Sequence, residues 1–243
     1  MTLLRDRDLA RALDHASHTC DRLTALDPGY RTGLLRSARR FRLPRAGAGP
    51  HILDLGCGTG ASILALLRAA PHARITAVDA SSGMLGRALA RPWPARVRFQ
   101  HLTAEEVATT GEGPYDAVFA AHLFRNVTGP DGVLTTVRSL LRPGGRLAVH
   151  EYSLSGSAAH RAPWTAVGRG VIVPAGALGG ARALCRHLWR SVLDFDPAPD
   201  FADRLERAGF TDVRVVPVAG RQTGIVHTFL ARNGSAATGE HAR

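Results

Sequence analysis

The sequence contains no lysine, so all 31 of its basic residues are arginine. Against 20 acidic residues this gives a formal charge of +11, which raises nucleic acid or an anionic membrane as a partner. The arginines are spread along the chain, and the densest group, between Arg36 and Arg45, contains a single aromatic residue, Phe41. Because single-stranded nucleic acid is bound by aromatic side chains set among basic ones, this composition does not favour a nucleic-acid partner. Weak association with a membrane surface stays open.

Long apolar runs and metal-binding cysteine patterns are also missing. None of the apolar runs approaches the ~20 residues of a membrane-spanning helix, and the N-terminus has no signal-peptide pattern. The three cysteines, Cys20, Cys57 and Cys185, lie far apart and form no Cys-x-x-Cys pair, so no metal site is predicted. A cytoplasmic protein with reduced thiols is therefore expected.

What the sequence does contain is organised around residues 51–60. The apolar residues within 52–55 predict a buried strand, three glycines follow at alternate positions, and a helical pattern begins at Ile63. The glycines are Gly56, Gly58 and Gly60. A strand, a glycine turn and a helix form the first half of a doubly wound α/β sheet, which binds ligands at the carboxyl end of that strand. Glycine tolerates positive φ there and lets a ligand approach the backbone closely.

The glycine pattern by itself fits two kinds of nucleotide ligand. Gly56-x-Gly58-x-x-Ala61 matches the dinucleotide fingerprint, and Asp79 stands near the acidic position expected for it. Asp54, two residues before the first glycine, argues against a pyrophosphate, because a carboxylate suits a ligand that carries an ammonium and a sulfonium. The segment Asp54-x-Gly-x-Gly-x-Gly resembles motif I of the class I S-adenosylmethionine (SAM) dependent methyltransferases.

Strand and helix patterns alternate from residue 51 onward. Strands are predicted near 51–55, 74–79, 96–102, 115–121 and 145–152, and helices near 60–70, 81–91 and 130–141. This alternation predicts a parallel sheet with right-handed crossovers. The last two strands, near 211–218 and 224–231, are joined by a short loop and must be antiparallel neighbours. The expected fold is α/β, a doubly wound, mostly parallel seven-stranded sheet of the class I methyltransferase type.

Further segments flank or interrupt this sheet. Residues 1–47 have helical patterns and are expected to cap the cofactor pocket. The methyltransferase domain is expected over 48–232, with residues 154–196 inserted as a helical substrate lid. Residues 233–243 are rich in small polar residues and are expected to be disordered.

The resemblance implies SAM as cofactor, S-adenosylhomocysteine as product and no metal. Asp79 at the end of the second strand can accept both ribose hydroxyls, although it could instead cap the following helix. Thr103 stands where the family has an acidic or amide residue for the adenine amino group, so a weaker acceptor is expected there. The other expected cofactor contacts are Asp54, Gly56, Cys57, Gly58, Gly60, Ala80, Met84, Ala104 and Ala120.

A narrower resemblance begins at His122-Leu-Phe-Arg-Asn-Val-Thr128. This segment is similar to the arginine-asparagine-valine segment of the menaquinone and ubiquinone biosynthesis C-methyltransferases, which methylate a ring carbon of a prenylated hydroquinone. The likeness continues through residues 144–153, 173–176, 187–192, 205–210 and 223–227. Leu123 and His187 depart from the family pattern at substrate-facing positions, so the chemistry is expected to be kept while the acceptor changes. A quinone, phenol or polyketide of specialised metabolism is as compatible as a respiratory quinone.

The expected catalytic residues are Arg125, which lies in the family-specific segment, and His122, which is the histidine nearest in sequence to the cofactor edge. Arginine cannot be a base, but Arg125 can hold a phenolate oxygen and lower the pKa of that phenol. His122 is the expected base because histidine titrates near neutral pH, with His150, His187 and His227 as alternatives. The residues expected to contact substrate are Tyr30, Asn126, Trp164 and His187.

Other interpretations of these residues and of the whole chain stay open. Arg125 could form a surface ion pair with Asp116 or Asp131, and Asn126 could cap the helix near Pro130. Beside C-methylation, the same scaffold supports O- or N-methylation of a small metabolite, or a cyclisation in which SAM acts only electrostatically. An RNA methylase is a remote alternative, and a homodimer is compatible with each of these functions.

Overall fold

The computed structural model describes residues 8–14, 29–43, 49–154, 158–178, 181–219 and 223–234. Most of the segment expected to cap the cofactor pocket lies outside these ranges. Of the tail expected to be disordered, residues 235–243 lie outside them as well, whereas Asn233 belongs to the last strand.

Seven strands form a single sheet in the order β3-β2-β1-β4-β5-β7-β6. The strands are β1 (His51–Leu55), β2 (Arg74–Asp79), β3 (Val97–His101), β4 (Tyr115–Ala121), β5 (Leu141–Tyr152), β6 (Phe210–Pro217) and β7 (Val226–Asn233). Strands β1 to β5 are parallel, and β7 is antiparallel to both β5 and β6. The predicted mostly parallel sheet with an antiparallel last strand is confirmed. Its topology brings the carboxyl ends of β1, β2, β4 and β5 to the same edge as the start of β7.

The three helices predicted between strands agree closely with the structure, which contains nine α-helices in its described residues. These nine are α1 (residues 8–14), α2 (Tyr30–Arg40), α3 (Ala61–Ala69), α4 (Ser82–Leu89), α5 (Pro130–Leu140), α6 (Ala158–Val167), α7 (Val173–Leu178), α8 (Arg182–Asp194) and α9 (Ala198–Arg207). Short 3₁₀ turns cover Glu106–Thr110 and Phe124–Asn126, and a π-helix covers Gly168–Ile172. The segment predicted as a lid thus consists largely of α6, α7 and α8. Within the described residues, no helix combines the length and the apolar character that crossing a membrane requires.

Strand β5 begins earlier than the sequence predicts. Leu141 already pairs with Tyr115, the register then shifts, and regular pairing resumes between Arg146 and Ala117. Gly144 has φ +71°, a backbone conformation that glycine adopts without strain. The break predicted between the helix near 130–141 and the strand near 145–152 is therefore an irregularity within a longer strand.

Two apolar layers cover the two faces of the sheet. One contains residues of α5 and α9, such as Val133 and Phe201, and the other contains residues of α2 and α3, such as Leu34 and Leu66. Because alternate residues of a strand point to opposite faces, His150 and Glu151 at the end of β5 face different layers. A third, smaller cluster packs Leu9 of α1 with residues of α8, so the N-terminal segment contacts the helices of the predicted lid.

Candidate active site

The glycine loop after β1 has an open concave side. Gly56, Gly58 and Gly60 all have positive φ, at +78°, +54° and +91°. The loop is fixed to β2 because the backbone nitrogens of Gly56 and Cys57 both donate to the carbonyl oxygen of Val78, at 2.8 and 2.9 Å. A Cβ built on Gly58 would meet no atom within 4 Å, so there is room for a ligand against the backbone at this position.

Asp54, below the loop, is a fully buried carboxyl. Its Oδ2 accepts a hydrogen bond of 2.6 Å from the Ser62 hydroxyl, whereas its Oδ1 has no partner among the described residues. Burial raises the pKa of Asp54 to about 7. The hydrogen bond from Ser62 lowers this pKa, whereas the nearby charge of Asp79 raises it further. A buried carboxylate with an unfilled acceptor position suits a cationic ligand, as the sequence predicts for the ammonium and sulfonium of SAM.

Asp79 ties the glycine loop to the start of α4. Its Oδ2 accepts from the backbone nitrogen of Gly58 at 2.8 Å, and its Oδ1 accepts from that of Ser81 at 2.9 Å. The cap of α4 is Ser81, whose hydroxyl accepts from Met84 N at 3.1 Å, so the interpretation of Asp79 as the helix cap is wrong. Each carboxylate oxygen of Asp79 keeps a second lone pair, which suits the two hydroxyls of a ribose.

Asp14 joins the N-terminal helix α1 to the same edge of the sheet. Its Oδ1 accepts from the Ser81 hydroxyl at 2.6 Å and from the backbone nitrogen of Gly83 at 2.9 Å. These hydrogen bonds lower the pKa of the Asp14 carboxyl, although partial burial opposes them. The described part of the N-terminal segment therefore lies beside the glycine loop.

The residues expected around adenine differ in solvent exposure. Met84 and Ala104 are almost fully buried, whereas Ala80 is exposed. Thr103 and Glu106 cap each other. The backbone nitrogen of Thr103 donates to Glu106 Oε2 at 2.9 Å, and the backbone nitrogen of Glu106 lies 3.4 Å from the Thr103 hydroxyl. The Thr103 hydroxyl can still donate or accept one further hydrogen bond.

Two expected cofactor contacts have buried side chains. Ala120 is fully buried in the layer that includes Val133 and Phe201, and Cys57 is 3% exposed in the opposite layer. Burial raises the pKa of the Cys57 thiol well above its usual value, and the charges of Asp54 and Asp79 add to this rise. The side chains of both residues are therefore packed into the apolar layers, and their expected contact with the cofactor stays a prediction.

A second polar centre lies where β4 and β5 end. His122 follows β4 with φ +57°, and its backbone nitrogen donates to the carbonyl oxygen of His150 at 2.8 Å. Its Nδ1 lies 3.4 Å from Oε1 of Glu151. The guanidinium of Arg125 donates to the same Oε1, and the backbone nitrogen of Arg125 lies 3.4 Å from Oε2. The two residues expected to act in catalysis thus meet at one carboxylate.

The Glu151 side chain is completely buried. Burial on its own raises the pKa of this carboxyl, but the charge of Arg125 and the hydrogen bond from His122 outweigh it, so the pKa lies below its usual value. Glu151 is therefore ionised at neutral pH, with Arg125 as its counter-ion. The expected alternative of a surface pair for Arg125 is wrong, since Asp116 pairs with Arg142 and Asp131 with Arg204.

Four rings form a column through the same centre. Tyr30 of α2 stacks on His122 with ring centroids 5.6 Å apart, and Tyr152 at the end of β5 also stacks on His122, at 4.9 Å. Trp164 of α6 lies 5.5 Å from Tyr152, and the Arg125 guanidinium carbon lies 5.5 Å from the centre of the Tyr152 ring. The column joins the N-terminal segment, two strand ends and the predicted lid around His122.

Asn126 and His187, both expected to contact substrate, are bonded to each other. Asn126 Nδ2 donates to the carbonyl oxygen of His122 at 2.7 Å, and Asn126 Oδ1 lies 2.9 Å from His187 Nε2. Residue Gly129 occupies the cap position of α5, so the interpretation of Asn126 as that cap is wrong. The hydrogen bond connects the turn after β4 with helix α8.

Two of the alternative bases, His150 and His227, are buried histidines whose pKa is lowered. His150 is 1% exposed and bonds through Nδ1 to the Ser37 hydroxyl at 2.7 Å, and burial holds its pKa well below the usual value. His227 is 7% exposed, and burial lowers its pKa as well. The interpretation based on sequence missed the roles of Glu151 and Tyr152, although both stand in the run 149–152 at the end of a predicted strand.

Comparison with known proteins agrees with this geometry. A family model described as a methyltransferase domain matches residues 52–145. The chain is 34% identical over 183 residues to the ubiquinone/menaquinone biosynthesis C-methyltransferase UbiE of Syntrophotalea carbinolica, covering 72% of this chain and 77% of that protein. It is 36% identical to the ubiquinone biosynthesis O-methyltransferase of Aeromonas salmonicida, over 42% of each protein.

The solved structures agree on the fold. Human N-acetylserotonin methyltransferase in complex with SAM superposes with a TM-score of 0.63 at 17% identity, covering 94% of this chain and 60% of that one. The likeness to the Syntrophotalea carbinolica protein spans most of both chains. The chain belongs to the class I SAM-dependent methyltransferases and is a SAM-dependent methyltransferase.

Proposed function

We propose that the enzyme transfers the methyl group to a ring carbon of a phenol- or quinol-like small molecule. The observation that carries this proposal is the position of His122, which is held by a buried ionised carboxylate and stacked against two aromatic rings, Tyr30 and Tyr152. Aromatic faces around an imidazole suit a flat acceptor whose hydroxyl points at the ring nitrogen. The 34% identical C-methyltransferase supports the same class of acceptor.

The chemistry of methyl transfer defines what the protein must supply. SAM supplies a methyl group bonded to a positively charged sulfur. This sulfur is a good leaving group, because it departs as a neutral thioether. The protein must therefore align the acceptor and make it electron-rich, and for a phenol this means removing the hydroxyl proton. When the ring carbon accepts the methyl group, S-adenosylhomocysteine leaves, and the hydrogen on that carbon departs as a proton, which restores the aromatic ring. Histidine is the side chain whose ordinary pKa suits that task.

Glu151 at the end of β5 and Arg125 after β4 can each support His122 in this reaction. Glu151 fixes the orientation of the His122 ring and stabilises the imidazolium that forms when His122 takes a proton. Arg125 keeps Glu151 ionised, and its Nε, which is buried, has no hydrogen-bond partner among the described residues. That unpaired N–H would be satisfied by an acceptor oxygen, and a donor aimed at a developing phenolate favours its formation.

O-methylation of a phenol is the second candidate function. A phenolate is nucleophilic at oxygen as well as at the ring carbons, so the same base serves both reactions. The likeness to the Aeromonas salmonicida O-methyltransferase supports this candidate, over a smaller part of the chain. Which atom receives the methyl group then depends on how the acceptor is placed against the sulfur.

The test is product analysis with SAM carrying a ¹³C-labelled methyl group. Purified enzyme is offered hydroquinones and phenols, each also in a form whose hydroxyl is blocked as a methyl ether. We expect label on a ring carbon, with turnover lost for the blocked acceptors, and the Gly58→Val variant serves as the control without a functional loop. If the label is found in a methoxy group, the reaction is O-methylation and the proposal of C-methylation is overturned. Consumption of an acceptor without label transfer would point to the cyclase interpretation and overturn the proposal.

A further inference from the structure

Residues 122–126, here called the catalytic turn, touch three separate parts of the molecule. His122 and Arg125 contact Glu151 of β5. Leu123 packs against the glycine loop, since a Cβ built on Gly56 would lie 3.1 Å from its Cδ1. Asn126 bonds to helix α8 of the predicted lid. The catalytic turn therefore links the cofactor loop, the buried carboxylate and the lid.

The amide orientation of Asn126 follows from its partners. The carbonyl oxygen of His122 can only accept, so the atom that faces it at 2.7 Å must be the NH₂ group. The oxygen Oδ1 then faces His187 Nε2 at 2.9 Å and has to accept, which places a proton on that nitrogen. His187 is 3% exposed, so water does not compete for this hydrogen bond.

The backbone of His122 has an uncommon conformation. A φ of +57° is left-handed, and residues other than glycine occupy that region only when surrounding contacts impose it. Two contacts do so here, since its nitrogen donates to His150 O and its carbonyl accepts from Asn126 Nδ2. With this bend the ring lies against Glu151, Tyr30 and Tyr152.

We propose that Asn126 and His187 are positioning residues that clasp helix α8 to the catalytic turn, so that docking of the lid holds His122 in its working orientation. The proposal rests on the proposed function in that it takes His122 as the base. Neither residue needs to touch the acceptor. With the clasp open, Asn126 can rotate, the His122 carbonyl loses its donor and the imidazole leaves Glu151.

The first test compares turnover in variants of His187. His187→Ala removes the donor to Asn126, whereas His187→Gln retains an NH₂ group that can donate to the same oxygen. We expect His187→Ala to lower kcat about 10- to 100-fold with unchanged SAM affinity, because the base is displaced rather than the ligand. His187→Gln should recover most of that loss. Arg182→Ala, at an exposed position of the same helix, is the matched control and should behave as wild type.

Loss of acceptor affinity with unchanged kcat in His187→Ala would show that His187 is a substrate contact and would overturn the clasp. Failure of His187→Gln to recover activity, with a folded protein, would overturn it as well. Imidazole ¹⁵N spectra provide a spectroscopic check, since the clasp requires the proton of His187 on Nε2. A neutral His187 protonated on Nδ1 alone contradicts the assignment.

The second test does not depend on methyl transfer. Hydrogen exchange is measured on the full chain with S-adenosylhomocysteine bound, in wild type, His187→Ala and Asn126→Asp. We expect His187→Ala to speed exchange both in α8 and in residues 122–126, because the two are coupled. Asn126→Asp keeps an acceptor for His187 but cannot donate to His122, so exchange should rise in residues 122–126 and stay slow in α8.

Faster exchange confined to α8 in His187→Ala would mean that the lid does not act on the turn, and it would overturn the clasp. If no phenol is methylated by the wild type while the exchange pattern is as expected, the proposed function fails and the clasp stands. The two failures are thereby separated.

Discussion

The Nδ1 of His122 lies 3.4 Å from Oε1 of Glu151, and the same oxygen accepts a hydrogen bond from the Arg125 guanidinium. One buried carboxylate is thus shared by the expected base and by a fixed cation. The arrangement gives Arg125 a task besides the proposed contact with the acceptor, because Arg125 compensates the charge of the carboxylate that holds His122. It also makes Glu151 the common partner of His122 and Arg125.

Glu151→Gln is expected to lower both stability and turnover. The substitution keeps the shape but removes the charge, so Arg125 is left buried without its counter-ion, at a cost of about 3–5 kcal/mol. Urea unfolding measures this loss. Replacing both residues, as in Glu151→Gln with Arg125→Met, should recover part of the stability. A double variant whose loss equals the sum of the two single losses would show that the pair is not coupled.

Arg125→Lys should preserve most of the stability and lose methyl transfer. A lysine ammonium can still pair with Glu151, but it cannot reproduce the planar guanidinium that also presents Nε–H. The loss should fall in kcat, on the order of 10²–10³ as for removal of an oxyanion donor, with SAM affinity unchanged. Steady-state kinetics and calorimetry measure the two quantities. Full turnover of the lysine variant on every acceptor would make Arg125 structural.

SAM affinity should rise with pH until about the pKa of Asp54. The pKa of this carboxyl is raised to about 7, so below that value SAM binding has to remove a proton from Asp54. SAM affinity should rise by up to about tenfold per pH unit from about pH 5.5 to about pH 7. In this range the α-amino group of SAM stays protonated, because an α-amino pKa is about 7.7. Asp54→Asn should bind more weakly and without this slope. Calorimetry in buffers of different ionisation enthalpy would measure the released proton, and its absence would contradict the prediction.

The cofactor-free protein should depend on pH with the opposite sign. An unfolded aspartate ionises near pH 3.9, whereas the pKa of folded Asp54 is about 7. The contribution of Asp54 to stability should therefore fall as pH rises between these values and stay constant above them. Comparing the pH dependence of urea unfolding in wild type and Asp54→Asn isolates this contribution. Identical curves for the two proteins would show that the carboxyl titrates normally.

Asp79→Ala should weaken SAM binding by about 1.5–3 kcal/mol, as expected for the loss of charge-assisted hydrogen bonds. Since Asp79 also accepts from Gly58 N and Ser81 N, the glycine loop should become more mobile in the variant. Glu105→Ala, an exposed acid near the same sheet edge, is the control. Unchanged affinity in folded Asp79→Ala would remove this residue from the cofactor site.

Trp164→Ala should raise KM for an apolar acceptor while leaving SAM affinity unchanged. Trp164 stands at the end of the ring column and lies 5.5 Å from Tyr152, so its loss opens one wall of the expected acceptor site. Trp93→Ala is a useful comparison, because Trp93 packs on Phe99 and near Gly60 on the cofactor side. An equal effect of both substitutions on KM would argue against an acceptor site at the column.

The sequence by itself determined the order of strands and helices along the chain and the sheet edge where the cofactor is expected. The residues that do this are close together in the chain, because a strand, its glycine turn and the next helix lie within residues 51–69. Asp54 and Asp79 are placed by their own strand ends, so their neighbourhood follows once the sheet is parallel. The narrower motif likewise pointed to His122, Arg125 and Asn126.

Only the tertiary structure decided what these three residues contact. Asn126 and His187 are 61 positions apart, and Arg125 and Glu151 are 26 apart, so their meeting depends on how α8 and β5 pack against the turn. Local patterns fix which face of a strand or helix is apolar, but they do not fix the partner of a polar side chain at a strand end. That partner follows from the left-handed backbone of His122 and from the pairing of β4 with β5, which are properties of the folded chain.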